Sequence, residues 1–230
     1  MKTTEDFLEG QLLLIDKPLT WSSFQAVNKL KYVLKNKYNL PKKFKIGHAG
    51  TLDPLATGLL IICTGKFTKR ITEIQAQAKE YTGTITVGAT TPSYDLETQV
   101  DFTFPTLHIN EAFILETTKQ FIGEIDQKPP IFSAIKKDGI RLYEHARAGE
   151  EVEIAYRKTT IHEFEITRIE LPEIDFRVTC SKGTYIRSLA FDFGVALNSG
   201  AHLSKLRRTK IGDYDVKNSI SPSDFENTFI

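Results

Sequence analysis

The sequence is poor in the residues that build disulfide scaffolds, metal centres and membrane spans. Its two cysteines, Cys63 and Cys180, lie in apolar, strand-like stretches. Two such cysteines give neither a disulfide framework nor a zinc pattern. The histidines at 48, 108, 145, 162 and 202 are scattered, without the close pairing of H-E-x-x-H or a Cys/His cluster, so no metal is expected. The longest apolar run, Leu59 to Cys63, is far too short to cross a bilayer. The N-terminus, MKTTEDFLEG, carries acids and has no apolar core, which argues against secretion. A cytoplasmic location is the expectation. Two familiar motifs are also missing. CTGKFT resembles the end of a phosphate-binding loop, but Leu60 stands where its first glycine is needed and Phe67 where Ser or Thr would hold magnesium. Ser22, Ser23 and Ser133 have no nucleophile-elbow context, so a Ser/His/Asp hydrolase is poorly supported.

A formal net charge of +1 gives no global pull toward a polyanion, but the charges are unevenly placed. Seven lysines fall between Lys29 and Lys45 with no acid among them, and Lys205, Arg207, Arg208 and Lys210 form a second cluster. Compensating acids gather at Glu150 to Glu153 and Glu163 to Asp175. Such a run usually marks a solvated face. Two acid-free basic stretches in a neutral protein also suit phosphate contacts.

The 230 residues fit one large domain or two small ones with a substantial core, and no linker or internal repeat marks a second domain. LLLIDKPLTW reads as a buried strand ending in a Lys-Pro turn, and Ser22 or Ser23 caps the next helix. Phe24, Val27, Leu30 and Leu34 recur on that helix at core spacing. A buried strand over Leu59 to Cys63 precedes a helix near 66–77, and EYTGTITVGAT alternates as a strand should. Asn110 caps a helix through Gln120. Residues 124–150, rich in Pro, Lys and turn signals, read as a mobile excursion. Strands are expected near 159–169, 174–180 and 203–211, with a helix over 184–197. Helices and strands mix without strict βαβ alternation, so an α+β fold with a mixed, largely antiparallel sheet is expected.

The densest polar detail lies in GHAGTLDPLATGLLIICTG (47–65), where Asp53 directly precedes a proline. Asp-Pro is ordinary turn chemistry. Three further stretches set unusual polar residues beside apolar strands: KEYTGTITVG (79–88), CSKGTYIRSLAFDFG (180–194) and HLSKLRRTKIG (202–212). With IDKPLTWSSF (15–24) and QKPPIFSAIK (127–136), these resemble, in order from Leu13 to Asp213, the motifs of the TruB family of tRNA pseudouridine synthases.

The resemblance implies the pseudouridine synthase fold, helices flanking the sheet, with residues 124–150 as an inserted RNA-gripping loop. It implies an enzyme that isomerises the T-loop uridine at tRNA position 55, without cofactor, metal or obligatory protein partner. Asp53 would be the nucleophile and Arg187 its partner. His48, Tyr81, Tyr185 and Leu206 would contact the target nucleotide, with Tyr81 either stacking on it or removing the C5 proton. Asp95 would position the pocket or the RNA, and Lys136 and the basic clusters would contact phosphates. Thr20 stands where the family often has glycine, after Asp-Lys-Pro-Leu. The chain ends about twenty residues after LRRTKIG, so residues 1–230 are expected to form a single catalytic domain without a separate PUA-type RNA-binding domain. A noncatalytic RNA-binding or tRNA-folding protein using the same groove is the alternative.

Overall fold

The computed structural model describes residues 2–229. They form two compact units: one runs to Tyr81 and resumes at Leu206, the other is Thr82–Lys205. The strands Lys79–Val87 and Ala201–Ile211 each contribute to both, since the division falls inside them.

In the first unit the apolar run belongs to a central strand, Ala56–Thr64. One edge carries Leu12–Lys17, antiparallel from Leu12↔Cys63 to Lys17↔Gly58. The other is shared by Ile46–His48, antiparallel, and by Leu206–Arg208, parallel to Ala56–Gly58. Successive side chains of a strand face opposite ways, and this strand is buried on both faces. Leu60 and Ile62 join Ile15, Ala26, Leu30 and Leu34, whereas Leu59, Ile61 and Cys63 join Ala49, Ile74 and Ile211. That is why it reads as continuous hydrophobic sequence rather than an alternating one.

The helix Ser23–Tyr38 covers the first face. Ser22 is its N-cap, in a capping box with Gln25. The inward row is Ser23, Ala26, Val27, Leu30, Val33 and Leu34. Phe24, expected on that row, is instead 68% exposed. The helix turns about 100° per residue, so burying Ser23 swings its neighbour outward. Helices Thr4–Glu9 and Pro222–Phe229, unpredicted from sequence, bring buried Phe7 and Phe225 to the same core.

In the second unit the strand order is Lys79–Val87, Glu173–Cys180, Arg157–Glu170, Gly123–Gln127. The pairs of Arg157–Glu170 with its two neighbours are antiparallel. Helices Glu111–Lys119 and Ile186–Ala196 belong to this unit, the first capped by Asn110 through Phe113 N–H at 3.0 Å. Phe121, Phe164, Phe176 and Phe193 form its aromatic centre, with ring centroids 5.4 to 6.3 Å apart. The sheet is thus mixed and mostly antiparallel, flanked by helices, as the sequence predicts. The expected excursion is narrower than 124–150, because Gly123–Gln127 is a sheet strand registered on Arg157–Ile161. The rest of the excursion holds a short hairpin, Lys136–Lys137 with Ile140–Arg141, and the helix Leu142–Arg147. No helix of the described residues is long and apolar enough to cross a membrane.

Thr20 has φ of 70°, the left-handed region that favours glycine. Its N–H donates to Pro54 O at 2.9 Å, so the conformation is pinned by the Asp53 turn. A non-glycine residue there costs about 1–2 kcal/mol, and glycine would return about half of that as unfolded-state entropy. Thr20→Gly is therefore expected to raise the melting temperature by about 1–3 °C for a protein of this size. A lower melting temperature would show that the threonine side chain contributes more than its backbone strain costs.

Candidate active site

In the first unit the chain leaves the short strand at His48, continues through Ala49, whose N–H reaches Ile61 O at 2.8 Å, and turns at Gly50. Asp53 opens a tight turn closed by Ala56 N–H on Asp53 O at 3.0 Å. Pro54 sits at the second position of that turn, where its fixed φ is favoured.

Side chains from other elements fasten this loop. Ser23 Oγ accepts from Leu52 N at 2.8 Å and donates to Leu52 O at 3.0 Å. Arg208 donates through Nε to Leu59 O at 2.8 Å and through its terminal nitrogens to Gly50 O at 3.0 Å and Thr51 O at 3.4 Å. The guanidinium is 1% exposed and forms no ion pair among the described residues. Its approach depends on Gly58, which has φ of 101°. A Cβ there would lie 2.3 Å from Arg208 O.

Lys17 is fully buried at the end of the Leu12–Lys17 strand, donating to Pro18 O at 2.9 Å and Trp21 O at 2.6 Å. Burial lowers its pKa to about 8; the charge of Asp53 opposes that shift and the charge of Arg208 adds to it. Asp53 thus shares its surroundings with two buried cations. The His48 pKa is lowered from its usual value by burial and by Arg208, with the Gly50 backbone opposing, so the ring is neutral at pH 7. Its Nδ1 has no hydrogen-bond partner among the described residues.

Leu206, half-buried, lies opposite Ala56 in the parallel register, three residues beyond Asp53. Tyr81 is buried. Its neighbour Glu80 accepts twice from Thr209 Oγ1, at 3.2 Å through its carbonyl and 2.7 Å through its carboxylate, which sets this strand end along the basic strand. His48, Asp53, Tyr81 and Leu206 therefore all belong to the first unit.

The second unit holds Asp95, Arg187, Tyr185 and Lys136. Arg187 is the second residue of its helix, and unlike an ordinary arginine at that place it is buried. Its Nε lies 3.6 Å from Asp95 Oδ2, and its terminal nitrogens donate to Ser93 O at 3.2 Å and Phe132 O at 3.0 Å. Asp95 is itself oriented, accepting from Glu97 N at 3.0 Å. The main chain of Tyr185 is clamped by the buried Gln127 amide, which accepts from Tyr185 N at 2.8 Å and donates to Tyr185 O at 3.0 Å. Lys136 stands on the exposed hairpin.

The expectation that the C-terminal basic cluster meets phosphates is corrected for Arg208. Arg208 is buried, and Arg207 forms a two-pronged pair with Asp16 at 2.9 and 2.7 Å. Lys205 and Lys210 face Glu173 and Glu80 at 3.8 and 3.7 Å. Sequence reasoning gave Lys17 no role and took Arg208 for a phosphate contact. A signal for Arg208 exists, since adjacent strand residues face opposite sides and one of Arg207 and Arg208 must point inward.

A carboxylate on a pinned loop, close enough to a buried lysine to influence its charge, can attack an electron-poor carbon or stabilise a developing cation. Among the described residues no cluster of His, Cys, Asp and Glu could hold a metal ion.

Two family models match the chain: the N-terminal domain of TruB family pseudouridylate synthase over residues 35–186, and the tRNA pseudouridylate synthase B C-terminal domain over 187–230. The chain is 80% identical over 226 residues to the tRNA pseudouridine synthase B of Flavobacterium johnsoniae, covering 98% of this chain and 99% of the relative. It is 54% identical over 220 residues to that of Phocaeicola vulgatus, covering 96% and 93%. A solved H/ACA RNP bound to a substrate RNA containing 2′-deoxyuridine has a similar chain, with a TM-score of 0.70 and 27% identity. That likeness covers 96% of this chain but about half, 53%, of the solved one.

Lys17 supplies a test of the buried-cation geometry. Its folded pKa of about 8 lies below the ordinary 10.5, so between these values the unfolded chain binds more protons and stability rises with pH. The cost of burying the charge is full below pH 8 and is relieved toward pH 10.5. From pH 7.5 to 9.5 the wild type should gain about 1–2 kcal/mol relative to Lys17→Met, read from denaturant midpoints. Parallel pH profiles for the two proteins would refute a buried, cationic Lys17.

Proposed function

The chain belongs to the TruB family of pseudouridylate synthases, and from that premise we propose that it isomerises the T-loop uridine at position 55 of tRNA to pseudouridine with Asp53 as nucleophile. The observation that carries the assignment is the Asp53 turn itself, the stretch leading into it clamped by Ser23 and Arg208 and its charge felt by buried Lys17. Binding RNA does not require a carboxylate held in that way. The tRNA is the only partner the reaction needs, and a cytoplasmic location follows from such a substrate. Both units serve one catalytic domain: the N-terminal family model runs through 35–186, across the boundary at Tyr81.

The target leaves its stack, at a cost of a few kcal/mol, and Tyr81, Tyr185 and Leu206 offset this by packing on the splayed base. The carboxylate of Asp53 takes up C1′ as the bond to N1 breaks, and uracil departs as a delocalised anion. No second carboxyl group is then needed to protonate it, unlike the alkoxide of a glycoside. The ring turns, C5 joins C1′ and displaces the carboxylate, C5 loses its proton to Tyr81 acting as base or relay, and N1 takes one up, so that the product is an isomer of the substrate. Arg187, oriented by Asp95 and two carbonyls, is assigned to hold Asp53 ionised and aligned. His48, as a neutral ring, contacts the target nucleotide. Lys136 binds phosphate from the exposed hairpin, which sets register rather than base identity.

The defining experiment incubates the purified chain alone with unmodified tRNA, without added cofactor, and maps pseudouridine at nucleotide resolution. RNA that is bound but unchanged would leave a binding protein, and free uracil would indicate a hydrolase. Asp53→Asn keeps the shape and loses the nucleophile. It should cut kcat by at least about 10⁴-fold while tRNA binding stays near wild type, and turnover within tenfold of wild type would remove Asp53 from that role. Arg187→Lys keeps the charge but loses the planar fork, and is expected to lower kcat by about 10²-fold. Retained activity would show that charge alone suffices at that position.

A further inference from the structure

The sequence from Pro18 through Leu52 contains no Asp or Glu, and its lysines lie on one helix and the turn after it. The outward row of the helix Ser23–Tyr38 is Phe24, Asn28, Lys31, Tyr32 and Lys35, at helical spacing. Phe24 and Tyr32 are 68% and 63% exposed, an unusual cost for large rings on a helix whose other face is already packed. Beyond the helix, exposed Lys42, Lys43 and Lys45 are held in place because Leu40 before them and Phe44 between them are buried in the core. Lys29 pairs with Glu226 at 2.6 Å. The other six lysines of the run form no ion pair among the described residues. Favourable interaction with the helix dipole accounts for Lys35 and Lys37 in the last turn, but not for the three beyond the helix.

The helix also has a fixed relation to the Asp53 loop within its unit. Its first residue, Ser23, bonds both main-chain groups of Leu52. At 1.5 Å per residue, Lys35 then lies about 18 Å along the axis from that anchor. Phe24 stands at the loop end and the lysines progressively farther away. An RNA hairpin has the matching order, unpaired bases in its loop and then a phosphate-lined stem.

We propose that the outward row of this helix and the 41–45 turn grip the sugar–phosphate backbone of the RNA stem that carries the target loop, with Phe24 and Tyr32 as aromatic contacts among the lysines. This rests on the function proposed above and adds to it a stem-binding surface outside the catalytic loop. A membrane surface suits the face less well. Its apolar residues are two separated rings rather than a continuous stripe, and the stripe the helix does possess is buried in the core.

The test replaces Lys31, Lys35, Lys37, Lys42 and Lys43 together by Gln, and in a second protein by Arg. Binding of an unmodified T-arm hairpin and of full tRNA is titrated at several salt concentrations, alongside steady-state kinetics. Each stem phosphate released from a lysine removes about 0.9 from the log–log salt slope. The Gln protein should therefore lose about 2 to 3 units of slope, with KM raised roughly 10- to 100-fold and kcat unchanged. The Arg protein should keep the wild-type slope. A Gln protein with wild-type slope and KM would mean a merely solvated face and overturn the proposal. So would an Arg protein as impaired as the Gln one, or lost binding to anionic phosphatidylserine vesicles with RNA affinity intact. Failure of the proposed function reads differently: a wild type that binds tRNA with a lysine-dependent slope yet forms no pseudouridine would overturn that function and leave this surface standing.

Discussion

Arg208 spends all three of its hydrogen bonds on main-chain carbonyls, those of Gly50, Thr51 and Leu59, and has no carboxylate partner among the described residues. A buried guanidinium is costly unless its donors are satisfied, and the same bonds satisfy carbonyls that leave regular pairing where the strand becomes the loop. The arrangement ties the two ends of the Asp53 loop to one rigid plane. Much of the local sequence is a consequence. Gly58 is required so that the strand bearing Arg208 can approach, and Ser23 and the Thr20 main chain fix the stretch the guanidinium does not reach.

The same guanidinium shapes the electrostatics. Together with burial it lowers the pKa of His48 and of Lys17, so the loop sits in positive potential while its histidine stays neutral. A neutral ring can accompany a base into a closed slot without adding charge there. The cations favour whichever anion is present, first the Asp53 carboxylate and then, in the proposed reaction, the departing uracil. Electrostatic stabilisation of this kind needs no reorganisation during the reaction, because Arg208 and Lys17 are already locked to carbonyls.

Residues whose neighbours in sequence set their environment were legible without a structure. Leu59 to Cys63 reads as a buried strand because both faces are covered, Ser22 reads as a cap, and Asp53-Pro54 reads as a turn. The residues that escaped depend on partners far away in the chain. Arg208 looks like a surface cation beside Arg207, Lys205 and Lys210 until its carbonyl partners, some 150 residues earlier, are in place. Phe24 fits the helical spacing, but Ser23 is needed inside to hold Leu52 and displaces it. Residues 124–127 carry loop-like composition, yet they pair with Arg157–Ile161 and Gln127 grips Tyr185.

The second unit uses an arginine in a related manner. Arg187 also bonds two main-chain carbonyls, Ser93 and Phe132, but it adds a buried carboxylate, Asp95. Contacts to carbonyls constrain backbone shape and leave side-chain identity free, whereas a contact to Asp95 constrains identity as well. A chain built this way should hold Gly, Pro and Asp where the backbone must bend or a charge must be matched, with ordinary apolar residues between. GHAGTLDPLATG has that composition around Arg208, and TTPSYDLET, with a buried acid and a proline turn, has it around Arg187. The motifs are dense in turn residues because each must present its carbonyls to a guanidinium. In that arrangement the placing of Asp53 and the shape of its loop are the same constraint.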